Sequence, residues 1–132
     1  MAEEAKPVVP KRILLVDDDL DLLFLLSKTI ESWGYKVITA SSGKEAVACM
    51  AQASPDILIL DYKMPDMNGI DTLKEIRKTN TKILAILFTA DLDSVPIKGT
   101  ENLGIATFIP KWYPESMLKT AIMMAEKKID EK

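Results

Sequence analysis

The amino-acid sequence predicts an α/β fold built on a five-stranded parallel sheet. Two observations carry that prediction. Short apolar runs alternate with longer segments of helical periodicity, and this alternation fills the chain from residue 12 onward. The runs are almost continuously apolar, the pattern of strands covered on both faces, and such alternation calls for right-handed crossovers between parallel strands.

Each element can be justified in order. The opening MAEEAKPVVPK, residues 1–11, is acidic and proline-containing and reads as a flexible arm, not a secretory signal. RILLV at 12–16 is the first strand. A helix follows over about 19–32, with Leu23, Leu26, Ile30 and Trp33 on one stripe and Gly34 placed to end it. KVITA at 36–40 is the second strand, and the second helix starts after SSG at 41–43 and runs to about 52. DILIL at 56–60 is the third strand, and GIDTLKEIRK at 69–78 the third helix. KILAILF at 82–88 is the fourth strand. The next segment, DSVPIKGTENLG at 93–104, holds Pro96 and Gly99, both poor inside a helix, so the fourth helix is expected to be short, bent or mobile. ATFI at 106–109 is the fifth strand. The last helix starts near Pro114 and aligns Met117, Leu118, Ala121, Ile122, Ala125 and Ile129. No linker or repeat divides these elements, so one domain is expected over 12–128, with a tail at 129–132.

Composition excludes several function classes. The 132 residues are 48% apolar and 28% charged, ordinary for a soluble domain with a core. A net charge of −3 offers no basic footprint for direct nucleic-acid binding. No apolar stretch approaches the roughly 20 residues of a membrane span. The lone Cys49 lies in the helical pattern KEAVACM, where a buried, inert thiol is expected, and one cysteine offers no internal disulfide, which fits a cytoplasmic protein. There is no histidine. That removes a Ser-His-Asp triad, a Cys–His pair, His-ligated zinc and a phosphohistidine donor role. A metal here would be held by oxygen, which favours Mg²⁺ or Ca²⁺.

In open parallel sheets, sites form beyond the carboxyl ends of the strands. Asp17, Asp18 and Asp19 stand after the first strand, Asp61 after the third, Thr89 and Ala90 after the fourth and Lys111 after the fifth. Three adjacent like charges at the end of a buried segment need compensation. One of them, Asp18 or Asp19, can cap the first helix. A cap needs only one acid, so Asp17 and Asp18 with Asp61 point to a hard-cation site. Asp61, in LILDYKMPDMNGI, is either a polar loop residue or a nucleophile able to form an acyl phosphate. Phosphoryl transfer depends on charge neutralisation and alignment, which a metal, the Thr89 hydroxyl and the Lys111 ammonium would supply.

The blocks ILLVDDD, LILDYKMPDMNG, FTA and IPK, in that order, resemble the signature blocks of receiver domains of two-component response regulators over about residues 12–128. The resemblance implies a doubly wound, flavodoxin-like (βα)5 fold with strand order 2-1-3-4-5. It implies that Asp61 accepts a phosphoryl group from a histidine kinase or histidine phosphotransfer protein. It implies Mg²⁺ held by Asp17, Asp18, Asp61 and the backbone carbonyl of Lys63. Thr89 and Lys111 would contact the phosphoryl group, and Ala90 would leave the site open. Phe108 matches the switch aromatic of the family, the alternative being a core residue. Pro65 and Gly69 shape the loop after Asp61. Lys63 and Asp91 occupy the positions that modulate self-dephosphorylation, and they either pair across the site mouth or are independently solvated. The implied protein is a cytoplasmic switch, monomeric or dimeric on phosphorylation. It acts on a downstream protein target, contacts no nucleic acid or membrane directly, and catalyses only its own phosphorylation and dephosphorylation.

Two departures stand out. The family commonly carries proline, with a cis bond before it, where this chain has Trp112. A cis bond before a non-proline residue costs about 2.5–4 kcal/mol, so a trans bond and a rearranged loop are expected, which bears on the reach of Lys111. The second departure is the broken fourth helix. On the first helix, Leu22, Phe24 and Leu25 add apolar surface beyond the core stripe, as a docking face for a phosphodonor bundle or as wider packing. Two other readings compete. One is a receiver-like module that binds partners without being phosphorylated. The other is an aspartate-dependent phosphohydrolase, suggested by the D-x-D spacing in VDDDLD, for which the chain leaves little room. Whether the chain is a stand-alone regulator or a receiver from a longer protein is left open by the sequence.

Overall fold

The computed structural model describes residues 10–96 and 98–131. The expected arm at 1–9 therefore lies outside the described residues. Strands β1 (Arg12–Val16), β2 (Lys36–Ala40), β3 (Ile57–Leu60), β4 (Leu84–Thr89) and β5 (Ile105–Pro110) form one parallel sheet in the order β2-β1-β3-β4-β5. Helices α1 (Leu20–Ser32), α2 (Gly43–Ala53), α3 (Gly69–Arg77) and α4 (Glu115–Asp130) cover it. The fold class and strand order are those expected.

The continuous apolar runs have a direct cause. Alternate residues of a strand point to opposite faces, and both faces carry a core. Leu14, Val16, Leu58, Leu60, Ala85 and Leu87 pack with α2 and α3 residues such as Met50, Leu73 and Ile76. Ile13, Leu15, Ile57, Ile59, Ile86 and Phe88 pack with Leu23, Leu26 and Ile30 of α1 and Leu118 and Ile122 of α4. Polar side chains start three of the helices. Asp19 accepts from the Leu22 N–H (3.1 Å), Ser42 from that of Glu45 (3.1 Å) and Asn68 from that of Asp71 (2.8 Å). Gly34 follows α1 at φ +99°, a conformation that suits glycine. Cys49 is half-buried, not fully buried as expected; burial, then Glu45, pushes its thiol pKa up, away from reactivity.

The fourth helix is the main departure. Between β4 and β5 the described residues form one 3₁₀ turn, Leu92–Ser94, and no α-helix. Pro96 removes a donor, and Gly99 and Gly104 adopt φ of +85° and +67°. Leu103 and Val95 cover the sheet there instead. Arg77 of α3 holds the replacement loop: its Nε donates to the Leu103 carbonyl (2.7 Å), and its terminal nitrogens to the carbonyls of Asn80 and Gly104 (3.2 Å each). Burial lowers the Arg77 pKa. Removing this fork strands carbonyls that are partly shielded from water. Arg77→Ala should lower stability by about 1–3 kcal/mol, read as a lower urea midpoint at unchanged slope.

The domain ends also shift. Residue 129 was expected in a tail, but α4 runs to Asp130 because Ile129 extends its apolar stripe onto the core. Lys11, assigned to the arm, is tied down. Its carbonyl accepts from the Lys36 N–H (3.0 Å) and its ammonium pairs with Asp130 (2.7 Å). The Tyr35 hydroxyl donates to Glu126 (2.9 Å) and, chiefly through burial, is pushed up to about 12 in pKa.

Candidate functional site

The sheet register brings the strand ends together. Val16 pairs with both Ala40 and Leu60, so Asp17 and Asp61 leave adjacent strands at one level. Hydrogen bonding carries the ladder one residue further. The Asp17 N–H donates to the Ala40 carbonyl (3.1 Å), and the Asp61 N–H to the Val16 carbonyl (3.0 Å). Both carboxylates are thus anchored on rigid backbone. Asp17 is 3% exposed and Asp61 5%, while Asp18 faces solvent. The three carboxylates offer oxygens lying within 4.8 Å of one another. Asp19 is not in this group; it caps α1, and its N–H donates to Asp17 Oδ1 (2.9 Å). The D-D-D run therefore divides between a site and a cap.

Lys111 completes the cluster. Its Nζ lies 2.5 Å from Asp17 Oδ2 and 3.2 Å from Asp61 Oδ2. Among the described residues no peptide bond is cis, and the loop after Lys111 closes by a bond from the Tyr113 N–H to the Pro110 carbonyl (3.0 Å). The departure at Trp112 is thus absorbed in the loop, and the lysine keeps its reach. Trp112 itself points outward and meets Tyr113 edge-on, with centroids 4.6 Å apart.

The electrostatics follow from burial. Desolvation pushes the Asp17 pKa up, countered by the Lys111 hydrogen bond and the Asp19 N–H. Burial alone would lower the Lys111 pKa, but Asp17 and Asp61 outweigh it and the net shift is upward, so the ammonium stays charged. One ammonium against three carboxylates leaves a net of two negative charges. All donors are hard oxygens, and the set fits a divalent cation such as Mg²⁺, which keeps several waters.

Thr89 ends β4, fully buried. Its carbonyl accepts from the Lys111 N–H (2.9 Å), and its hydroxyl oxygen from the Asp91 N–H (3.2 Å). The loop after Asp61 is held at several points. The Gly69 N–H donates to the Tyr62 carbonyl (2.6 Å), Asp66 accepts from the Lys44 N–H (3.4 Å), and Met64 is buried beneath the loop. Neither Asp66 nor Met64 was singled out in the sequence. The one signal was the pair of methionines, Met64 and Met67, in the loop YKMPDMNG. Pro65 lies exposed on the same loop. Lys63 and Asp91 come together, with Nζ and Oδ2 3.7 Å apart.

The aromatic at 108 is no core residue. Phe108 is 41% exposed and borders a cavity of about 380 Å³ between β5 and α4, alongside Tyr113, Met117 and Met124. On α1, Leu22 packs against the core, whereas Phe24, Leu25 and also Leu20 stand exposed.

Comparison with known proteins gives a consistent picture. Residues 13–123 match the family described as "Response regulator receiver domain". The transcriptional regulatory protein CpxR of Klebsiella pneumoniae is 38% identical over 111 residues, covering 84% of this chain and 47% of CpxR. The chain thus spans about half the length of that relative. Sporulation initiation phosphotransferase F of Bacillus subtilis is 30% identical over 112 residues, covering 85% of this chain and 90% of that protein. Among solved structures, a receiver domain protein of Clostridium thermocellum superposes with a TM-score of 0.81 at 31% identity, covering 91% of this chain and 97% of that one. Response regulator TrrA of Thermotoga maritima, solved in complex with Mg²⁺ and BeF, gives 0.80 at 30% identity, covering 87% and 98% respectively.

Proposed function

The chain belongs to the response regulator receiver domain family, and we propose that within it Asp61 is the phosphoryl acceptor. The observation that carries this reading is the Lys111 ammonium bridging buried Asp17 and Asp61 among three converging carboxylates. A carboxylate oxygen of Asp61 attacks phosphorus on a phosphohistidine of a kinase or phosphotransfer protein. The new O–P bond forms as the P–N bond breaks. The imidazole nitrogen keeps the electron pair and takes a proton from solvent. Asp17, Asp18, Asp61 and the Lys63 carbonyl would hold Mg²⁺, which supplies charge neutralisation for the phosphoryl oxygens.

The remaining roles belong to the chain's own groups. Lys111, already charged and positioned, donates to a phosphoryl oxygen. The Thr89 hydroxyl bonds a second one, and Phe108 turns inward in response, shifting a pre-existing equilibrium read by a downstream protein. The chain acts as a signalling switch, and the only chemistry proposed for it is gain and loss of its own phosphate.

The test uses a small acyl phosphate as donor with Mg²⁺. The expected product carries one hydroxylamine-labile phosphate per chain, and chelation of the metal abolishes its formation. No label on folded protein would favour a binding-only module. Lys63 and Asp91 are proposed to screen the phosphoryl group from attacking water through their ion pair. Lys63→Ala and Asp91→Ala should each shorten the phosphate half-life, by about two- to fivefold given the modest strength of an exposed pair. Half-lives matching wild type in both would remove the pair from the mechanism.

A further inference from the structure

Ser94 has no role in the phosphoryl transfer itself, yet it sits in the only helical turn that, among the described residues, stands where a fourth helix was expected. Its hydroxyl donates to Asp91 Oδ2 at 2.5 Å. The same oxygen faces Lys63 Nζ at 3.7 Å. The Asp91 N–H meanwhile donates to Thr89 Oγ1. Asp91 is therefore held at three points: by Ser94 from within its turn, by Lys63 from the loop carrying Asp61, and by Thr89 from the end of β4. The turn is also closed through the backbone, with the Ser94 N–H on the Asp91 carbonyl (3.2 Å).

We propose that Ser94 is a positioning residue that sets the lifetime of the phosphorylated state by aiming the Asp91 carboxylate at Lys63. The inference rests on Asp61 carrying the phosphoryl group. An exposed lysine–aspartate pair is weak mainly because two mobile side chains must be held in one geometry. A hydroxyl bound to the carboxylate removes much of that freedom on one side. The sequence spacing fits, because residues three apart, as in D-x-x-S, come together across a single 3₁₀ turn. Asp93, exposed in the same turn, adds a negative charge but, when ionised, has no proton to donate to Asp91 and so cannot replace the hydroxyl.

The experiment loads the full chain from a small acyl phosphate with Mg²⁺, removes the donor, and follows decay of hydroxylamine-labile phosphate. Ser94→Ala should shorten the half-life by about two- to fivefold, the scale of an exposed ion pair, and Ser94→Thr should restore it. In an Asp91→Ala background, Ser94→Ala should have no further effect, a dependence that general loosening of the turn would not produce. Initial loading should be unchanged in Ser94→Ala and Ser94→Thr. A Ser94→Ala half-life equal to wild type, or a full effect persisting without Asp91, overturns the inference while leaving Asp61 as acceptor. Absence of label on wild type overturns both.

Discussion

Replacing Asp61 with asparagine should remove all hydroxylamine-labile phosphate and leave the protein folded. The amide keeps the shape of the carboxylate but is a far poorer nucleophile, so the acyl phosphate cannot form. The fold should tolerate the change for an electrostatic reason. Asp61 is buried beside Asp17 with Asp18 close by, and Asp17 and Asp61 share one ammonium. Neutralising one of them relieves repulsion, and Lys111 keeps its shorter bond to Asp17. Stability without metal should therefore change by no more than about 1 kcal/mol, in either direction. Metal dependence provides a second measurement. Ligand binding to the native state raises stability by RT ln(1 + [L]/Kd). Added Mg²⁺ should raise the melting temperature of wild type, and less so that of Asp61→Asn, which lacks one charged ligand. Undiminished label on the asparagine variant would exclude Asp61 as the acceptor.

The converging side chains are legible in the sequence because of where they stand. Strand ends in an open parallel sheet are marked by abrupt changes from apolar to polar residues. Val16 to Asp17, Leu60 to Asp61 and Phe88 to Thr89 each show one. The order of those breaks along the chain then names the converging side chains. The segment at 92–104 behaves differently. Pro96 and Gly99 said only that a helix would be poor there. What replaces it depends on Arg77, which in the sequence is one cation in a charged helix face and gives no sign of bonding the carbonyls of Leu103 and Gly104. The Lys63–Asp91 pair was open to either outcome because an ion pair between two loops depends on their separation, which no local pattern encodes. The two ends of the domain are held by a contact of the same kind. Ile129 was visible on the apolar stripe, but the pairing of Lys11 with Asp130 joins the two ends of the described chain and could not be read from either alone.

Gly69→Ala should damage the site through the backbone. A Cβ at Gly69 would overlap the Asp61 carbonyl oxygen and lie 2.9 Å from Tyr62 Cα. Both are main-chain atoms, so no side-chain rotation relieves the overlap. Propensity favours alanine by about 1 kcal/mol in a helix interior, and by less at Gly69, the first residue of α3. The overlap outweighs that gain, and a net loss of about 1–3 kcal/mol is expected. The consequence for chemistry is more specific. The atom that must move is the carbonyl of Asp61, the proposed acceptor, so the Asp61 carboxylate shifts relative to Lys111, while the Lys111–Asp17 bond of 2.5 Å is untouched. A displacement near 1 Å can cost on the order of 100-fold in rate. Gly34→Ala separates the two effects. Gly34 has φ +99°, and a Cβ there would meet nothing within 4 Å, so alanine is strained but touches nothing at the site. Both variants should unfold at lower urea than wild type, but only Gly69→Ala should label slowly from the small donor. Equal labelling rates in the two would mean that the close approach of α3 to Asp61 does not set the acceptor's position.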